Sequence, residues 1–161
     1  MMQLHRFEEG FARMQGPSQA VVKAWAGLVR AQRAATSGIE ADLKQAGFPP
    51  LSWYDVLYGL RRSRGGKLTP GELEGEILLE QYNLSRLLDR MEADGLVRRI
   101  PYPGDKRRQF VAITARGREM QKRMWPVYAA AIERHVGARI TETESEALAN
   151  ILDRLLPSAG A

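Results

Sequence analysis

Side chains suited to reading DNA are grouped in the middle of this sequence. They can hydrogen-bond to base edges or phosphates and comprise Gln81, Tyr82, Asn83, Ser85, Arg86 and Arg90. In the major groove, Arg can donate two hydrogen bonds to guanine, and Asn or Gln can pair with adenine. Ser85 and Tyr82 could reach a base edge or a phosphate, whereas Arg90 lies one turn further along, where a phosphate contact is favoured. The grouping predicts a DNA-reading helix.

A second group of cationic side chains follows shortly afterwards. Lys106, Arg107 and Arg108 come after Asp105 in a segment rich in turn residues, Tyr102-Pro103-Gly104-Asp105. Guanidinium groups at the tip of a hairpin can enter a narrow minor groove, where the negative potential is strongest. These residues are therefore predicted to supply a second DNA contact.

The elements around these residues have the order of a winged helix-turn-helix. A Thr69-Pro70-Gly71-Glu72 start predicts a short helix, because Thr caps, Pro suits the first helical position and Glu completes a capping box. An amphipathic helix follows, ended by Gly95, and then two short β-type runs flank the basic tip. The apolar stripe of the amphipathic helix consists of Leu84, Leu87, Leu88 and Met91. The β-type runs are Leu96–Pro101 and Gln109–Ile113.

Long helices are predicted on both sides of this unit. Residues 18–46 favour one helix with a weak point at Gly38, and Ser52 with Asp55 suggests a capping box that opens a helix to about Arg62. Thr114 is expected to cap a helix to about Gly137, kinked at Pro126, and a last capping box lies at Thr141–Glu144. The predicted fold is a single domain, mainly α with a small β-hairpin wing.

Composition excludes several classes of function. The 161 residues contain no cysteine, so disulfides, thiolate metal sites and thiol redox sensing are excluded, and His5 and His135 are too few and too separated for a metal site. The net charge of +5 admits a polyanionic partner. No signal-peptide core and no apolar run of about 18 residues is present, so a cytoplasmic location without membrane contact is expected. No phosphate loop, metal-ligand spacing or nucleophile–base pair appears, so neither enzyme activity nor a cofactor is expected.

Residues 83–99, followed by 105–108 and 112–117, resemble the MarR family of transcriptional regulators. The resemblance implies a homodimer in which residues 1–48 and 115–161 form the helical dimerisation region and residues 51–114 form the winged helix-turn-helix. It also implies a pseudo-palindromic operator of double-stranded DNA and, commonly, repression that a small ligand relieves. The family's wing motif falls on Asp105 and Arg107, which implies that Arg107 enters the minor groove while Asp105 helps to orient it. Glu80 replaces the small hydroxyl residue that usually caps the recognition helix, so operator contacts at that end are expected to differ.

The resemblance further implies a small aromatic or phenolic anion bound between the dimerisation helices and the winged helix. The candidate residues are Trp25, Arg30, Trp53, Tyr54 and Asp55. Two of them have competing interpretations: Trp25 as a packing residue of the core or dimer interface, and Asp55 as a capping carboxylate. The absence of any ligand also remains open.

The sequence therefore predicts a sequence-specific transcriptional regulator, expected to be a ligand-responsive repressor. The alternative is a non-specific architectural DNA-binding protein, which should carry a broader basic excess. The mixed polar face of the recognition helix argues against that alternative.

Overall fold

The computed structural model describes residues 16–78 and 83–157. It confirms the mainly helical fold with a small antiparallel sheet, and it divides into two compact units, with Ala34 ending the first and Ala35 beginning the second, inside α1. The elements are α1 (Gln19–Gln45), α2 (Leu51–Arg62), β1 (Lys67–Leu68), α3 (Pro70–Glu76), α4 (Leu84–Ala93), β2 (Val97–Tyr102), β3 (Asp105–Ile113), α5 (Ala115–His135) and α6 (Glu142–Asp153), with 3-10 turns at Arg64–Gly66 and Gly137–Arg139.

The winged helix has its own apolar core in the second unit. The leucine stripe predicted for the recognition helix α4 is buried, and it packs with side chains of α2, α3 and the sheet. Burying one such side chain stabilises the fold by about 1.5–3 kcal/mol. The members of this core are Val56, Leu57, Leu60, Leu73, Leu84, Leu87, Leu88, Met91, Leu96, Val97, Val111 and Ile113.

The sheet differs from the predicted hairpin in two ways. A two-residue strand, β1, pairs with β3, so the strand order is β1-β3-β2. In addition, β3 begins at Asp105, so the three cations predicted at the hairpin tip lie on a strand. The turn itself is confined to Pro103 and Gly104, and the φ of Gly104 is 79°, a conformation that favours glycine.

Most of the predicted helix ends are confirmed. The Thr69 hydroxyl accepts a hydrogen bond from the Glu72 amide at 3.3 Å, and the Glu72 carboxylate accepts one from the Thr69 amide at 2.8 Å. Thr141 begins α6 with the same capping box, and the Thr114 hydroxyl caps α5. Gly95 has a φ of 73° just after α4.

The capping box predicted at Ser52 and Asp55 is wrong. Helix α2 begins two residues earlier than predicted, with Pro50 instead of Ser52 at the N-cap, and the Pro50 side chain makes no capping hydrogen bond. A carboxylate from another helix satisfies the first turn instead, because the Leu51 amide donates to the two Glu40 oxygens at 3.1 and 3.2 Å. Asp55 is buried at the fifth residue of α2, not at the third residue where the carboxylate of a capping box lies, so that interpretation is wrong as well.

A second core joins the end of α1 to α2 and α5, and it comprises Ile39, Leu43, Leu51, Tyr54, Met124, Tyr128 and Ala131. Next to it, the His135 ring packs against Gly38, where any Cβ would overlap the imidazole. Nε2 of His135 lies 3.0 Å from the Asp42 carboxylate, which also pairs with Arg134. Gly38, predicted to be a weak point of the helix, is thus the place where α5 approaches α1 closely.

Apolar side chains remain exposed on two helices. In the first unit, Val21, Val22, Trp25 and Leu28 are exposed, and the exposed fraction of Trp25 is 66%. In α6, none of the residues Glu142–Asp153 is buried, and Leu148 and Ile151 are exposed. In the part of the chain that the structure describes, no helix is long and apolar enough to cross a membrane.

Candidate nucleic-acid interface

Helix α4 carries an exposed polar face opposite its buried leucines. Ser85, Arg86 and Arg90 are exposed on it. Gln81 and Tyr82, predicted at its beginning, lie outside the described residues, as does Glu80. The described part of this face therefore offers two guanidinium groups and a hydroxyl to a ligand.

Asn83 has a structural task that the sequence interpretation did not assign. It is the N-cap of α4, and its side-chain oxygen accepts a hydrogen bond from the Arg86 amide at 3.1 Å. Pairing with adenine uses both the oxygen and the nitrogen of an amide side chain. While it caps the helix, Asn83 has one lone pair of its oxygen engaged and still presents its NH₂ group as a donor.

Arg99 on β2 ties the recognition helix to the wing, which consists of β2, β3 and their turn. Its guanidinium donates to Asp89 at 2.6 Å and to Glu92 at 2.9 Å, both on α4. Partial burial lowers the pKa of Arg99, but the two carboxylates outweigh that effect and raise the pKa above its ordinary value. These ion pairs neutralise Asp89 and Glu92 beside the exposed polar face of α4. We call this arrangement the Arg99 clamp.

The sequence interpretation missed the Arg99 clamp. Asp89 lies exposed on α4, and its partner Arg99 lies ten residues away on a strand. An arginine on a β-strand facing an acid of the preceding helix has no periodic signal, so only the three-dimensional fold reveals the pair.

The wing presents its cations to solvent. Lys106, Arg107 and Arg108 are all exposed, and the Asp105 carboxylate accepts a hydrogen bond from the Arg107 amide at 2.9 Å. The contact of Asp105 is therefore with the backbone of Arg107, which fixes the start of β3. Arg108 lies over the ring of Tyr102, with Cζ 4.2 Å from the centroid. An exposed polar helix and an adjacent cationic hairpin are the two parts that a winged helix applies to a duplex.

The sequence and the structure of this chain are both similar to those of known proteins. A sequence model of the MarR family matches residues 46–108, from the end of α1 to the wing. The multiple antibiotic resistance protein MarR of Escherichia coli K12 is 29% identical over 90 residues, which is 56% of this chain and 62% of that protein. A MarR-family transcriptional regulator from Streptomyces coelicolor, solved in complex with DNA, has a TM-score of 0.76 at 27% identity and covers 91% of this chain and 96% of its own. Over residues 46–108 and in its fold, the chain is similar to transcriptional regulators of the MarR family.

The same fold is found in structures whose sequences are less similar to this chain. BpsR of Bordetella bronchiseptica, whose DNA binding is regulated by 6-hydroxynicotinic acid, has a TM-score of 0.74 at 19% identity and covers 87% of this chain and 97% of its own. The family consists of transcription regulators, so the expectation that the chain is not an enzyme is confirmed. Within residues 16–78 and 83–157, no group of three or more His, Asp or Glu side chains could hold a metal ion.

An open cavity of about 890 Å³ lies between α2, the end of α3 and α5. Four aromatic rings form one wall. The Tyr54 ring stacks near Tyr58 at 5.8 Å and Trp125 at 6.2 Å, and it meets the edge of Tyr128 at 4.9 Å. Trp125 and Tyr58 are about half exposed, so their faces are open to a ligand.

A chain of polar groups runs along the floor of the same cavity. The buried Gln121 donates from Nε2 to the Tyr54 hydroxyl at 3.0 Å and accepts a hydrogen bond from Arg61. Burial raises the pKa of Tyr54, and burial together with the nearby Asp55 raises that of Tyr128. Both phenols are therefore neutral at physiological pH, and the Tyr54 hydroxyl, which accepts from Gln121, keeps its proton for another partner.

The five predicted ligand residues are only partly brought together. Tyr54 and Asp55 line the cavity, but Trp53 packs against the core of the winged helix. Trp25 and Arg30 belong to the first compact unit. The cavity also contains Arg61, Gln121 and Trp125, which the sequence analysis did not single out.

Proposed function

We propose that this chain is a sequence-specific DNA-binding transcriptional regulator that acts as a homodimer in the cytoplasm. The observation that carries the proposal is the pairing of an exposed polar face on α4 with the exposed cations of the wing, joined by the Arg99 clamp. The Streptomyces coelicolor relative, solved in complex with DNA, supports the same use of these elements here.

The homodimer is supported by unpartnered apolar surface. Helix α6 has no buried residue of its own, and Leu148, Ile151, Leu155 and Leu156 are exposed on or just after it. An amphipathic helix that leaves its apolar face in water gains little from folding. A second copy covering this face would provide that gain, and two copies would present two recognition helices to a pseudo-palindromic operator.

The cavity supports a ligand-responsive regulator, with repression that the ligand relieves. Four aromatic side chains favour a flat ring, while Arg61, Arg62 and Lys122 at the same cavity favour a negative charge. Asp55 and Glu76 also line it, so the acidic group of the ligand must lie on the Arg61 side. We infer that the ligand is a small aromatic or phenolic anion, the class to which the effector of BpsR belongs.

The test of DNA binding compares two duplexes. Purified protein is titrated at near-physiological salt into the intergenic DNA upstream of its own gene and into an unrelated duplex of equal length. Tight binding to the upstream DNA alone is expected. Arg107→Ala should weaken it at least about tenfold, and Arg139→Ala, which removes an exposed cation after α5, should leave it unchanged.

Other outcomes would contradict this proposal. Equal binding to both duplexes would favour the non-specific architectural protein, because phosphate contacts alone do not distinguish sequences. No binding to either the upstream region or a random pool of duplexes would refute the DNA-binding function.

A further inference from the structure

The face of the wing sheet that points away from the core is basic and aromatic. Side chains alternate between the two faces of a strand. Leu68, Arg99 and Val111 are in register on the core side, so their neighbours Lys67 and Arg98, both opposite Ala112, lie on the other side. We define the outer wing face as Lys67, Arg98, Tyr102, Arg108 and Phe110.

Ring contacts restrict two of the three cations of the outer wing face, Lys67 and Arg108. The rings of Tyr102 and Phe110 lie 4.7 Å apart. Lys67 places Nζ 4.7 Å from the Phe110 centroid, and Arg108 places Cζ 4.2 Å from that of Tyr102. Such cation–π contacts restrict a cation without neutralising its charge. The three cations are all exposed, so they remain available to an anionic partner.

Few carboxylates balance this charge. Among the described residues, no ion pair engages Lys67, Arg98 or Arg108. Arg108 helps to lower the pKa of Glu72, but that effect is smaller than those of the hydrogen bonds that Glu72 makes with Thr69. The outer wing face is thus a positive surface about two strand spacings, or about 10 Å, wide.

We propose that the outer wing face binds phosphates of DNA beyond the segment that the recognition helix and the wing turn contact. This inference rests on the proposed DNA-binding function. Two observations favour DNA over an acidic protein. The face continues along β3 directly into Lys106 and Arg107, which belong to the candidate interface, and its cations are spread across three strands as a polyanion requires. The footprint is therefore wider than the recognition helix and wing turn alone would give.

The test uses duplex length and salt together. Once the operator has been located by footprinting, binding is measured on a duplex trimmed to the operator and on one extended by about one helical turn of arbitrary sequence at each end. The extension should tighten binding by the wild-type protein. In Lys67→Gln/Arg98→Gln, each homodimer loses four cations, so the slope of log affinity against log salt should fall in magnitude by about 4 on the long duplex, which is roughly a hundredfold in affinity between 50 and 200 mM salt. On the trimmed duplex the variant should match the wild type.

Matched variants separate charge from folding. Lys67→Arg/Arg98→Lys preserves the charges and should retain the wild-type slope. Lys44→Gln/Arg139→Gln removes two exposed cations outside the winged helix and should also leave the slope unchanged. Thermal unfolding of each variant checks that the fold is intact.

Three results would decide against the proposal. Equal slopes for the wild type and Lys67→Gln/Arg98→Gln on the long duplex would overturn it, and would leave an acidic protein as the partner to seek. An equal loss on both duplexes would overturn it too, because the face would then serve the operator itself. If the wild type shows no preference for the operator at all, the proposed function has failed, and the inference fails with it.

Discussion

Replacing Arg99 with glutamine should weaken both the fold and the binding of DNA. The change removes the two charged hydrogen bonds of the Arg99 clamp, at 2.6 and 2.9 Å. The side chains of Arg99, Asp89 and Glu92 are 28%, 63% and 41% exposed, so solvent screens both pairs. At about 0.2–1 kcal/mol for each partly exposed pair, the free energy of unfolding should fall by about 0.5–2 kcal/mol.

The effect on DNA binding arises from the two carboxylates that lose their ion-pair partner. In Arg99→Gln, Asp89 and Glu92 stand uncompensated beside the face that approaches phosphates. At about 8 Å in water, each carboxylate–phosphate repulsion costs about 0.5 kcal/mol. Two such terms in each protomer, about 2 kcal/mol for the homodimer, weaken operator binding roughly thirtyfold, and the loss should shrink as salt is added.

A double-mutant cycle measures the interaction energy between Arg99 and Asp89 directly. Urea unfolding of Arg99→Gln, Asp89→Asn and the double variant gives the coupling energy, which we expect at about 0.5–1 kcal/mol. In the same double variant one repulsive charge is gone, so operator affinity should recover part of the way. Arg116→Gln, an exposed cation at the start of α5, is the matched control. A coupling energy of zero together with unchanged operator affinity would refute the reasoning.

Three further predictions concern the glycines and one capping acid. Gly117→Ala should lower the free energy of unfolding by about 3 kcal/mol, because the new Cβ would overlap a backbone carbonyl that cannot move, whereas Gly75→Ala, in open space, should not destabilise; urea unfolding compares them. Gly38→Ala should destabilise the wild type by displacing the His135 ring, yet stabilise His135→Ala by up to about 1 kcal/mol, because alanine is the better helix former; the same sign in both backgrounds would contradict this. The capping hydrogen bonds lower the pKa of Glu72, so its contribution to stability is complete at neutral pH and disappears as the pH falls through that lowered pKa. Glu72→Gln should remove this acid-dependent part of the unfolding curve; an identical pH profile would argue against it.

Local patterns along the chain were enough to predict the elements of the fold. The capping boxes at Thr69 and Thr141, the stop at Gly95 and the leucine stripe of α4 involve neighbours within one or two turns, and the structure confirms each of them. The start of α2 was misassigned because its capping carboxylate, Glu40, comes from another helix. No pattern within Ser52–Asp55 could reveal that.

Strand β1 and the cavity, two features that escaped prediction, both depend on distant pairs. Strand β1 has only two residues, too few for alternation, and its existence depends on β3 over forty residues later. The cavity joins Tyr54 to Gln121 across a separation of 67 residues. Sequence periodicity indicates which face of a helix is buried, but it does not indicate which two helices line the same cavity.

The three tryptophans of this chain lie in three different environments. Trp25 is exposed in the first compact unit, Trp53 packs against the core of the winged helix, and Trp125 stands at the cavity beside Tyr54. Indole emission depends on local polarity and on contact with neighbouring groups, so each ring reports on its own surroundings. Variants that keep one tryptophan at a time would give separate optical signals for association of copies, unfolding of the winged helix and occupation of the cavity. The protein thus carries its own set of intrinsic fluorescent probes, with no label to attach.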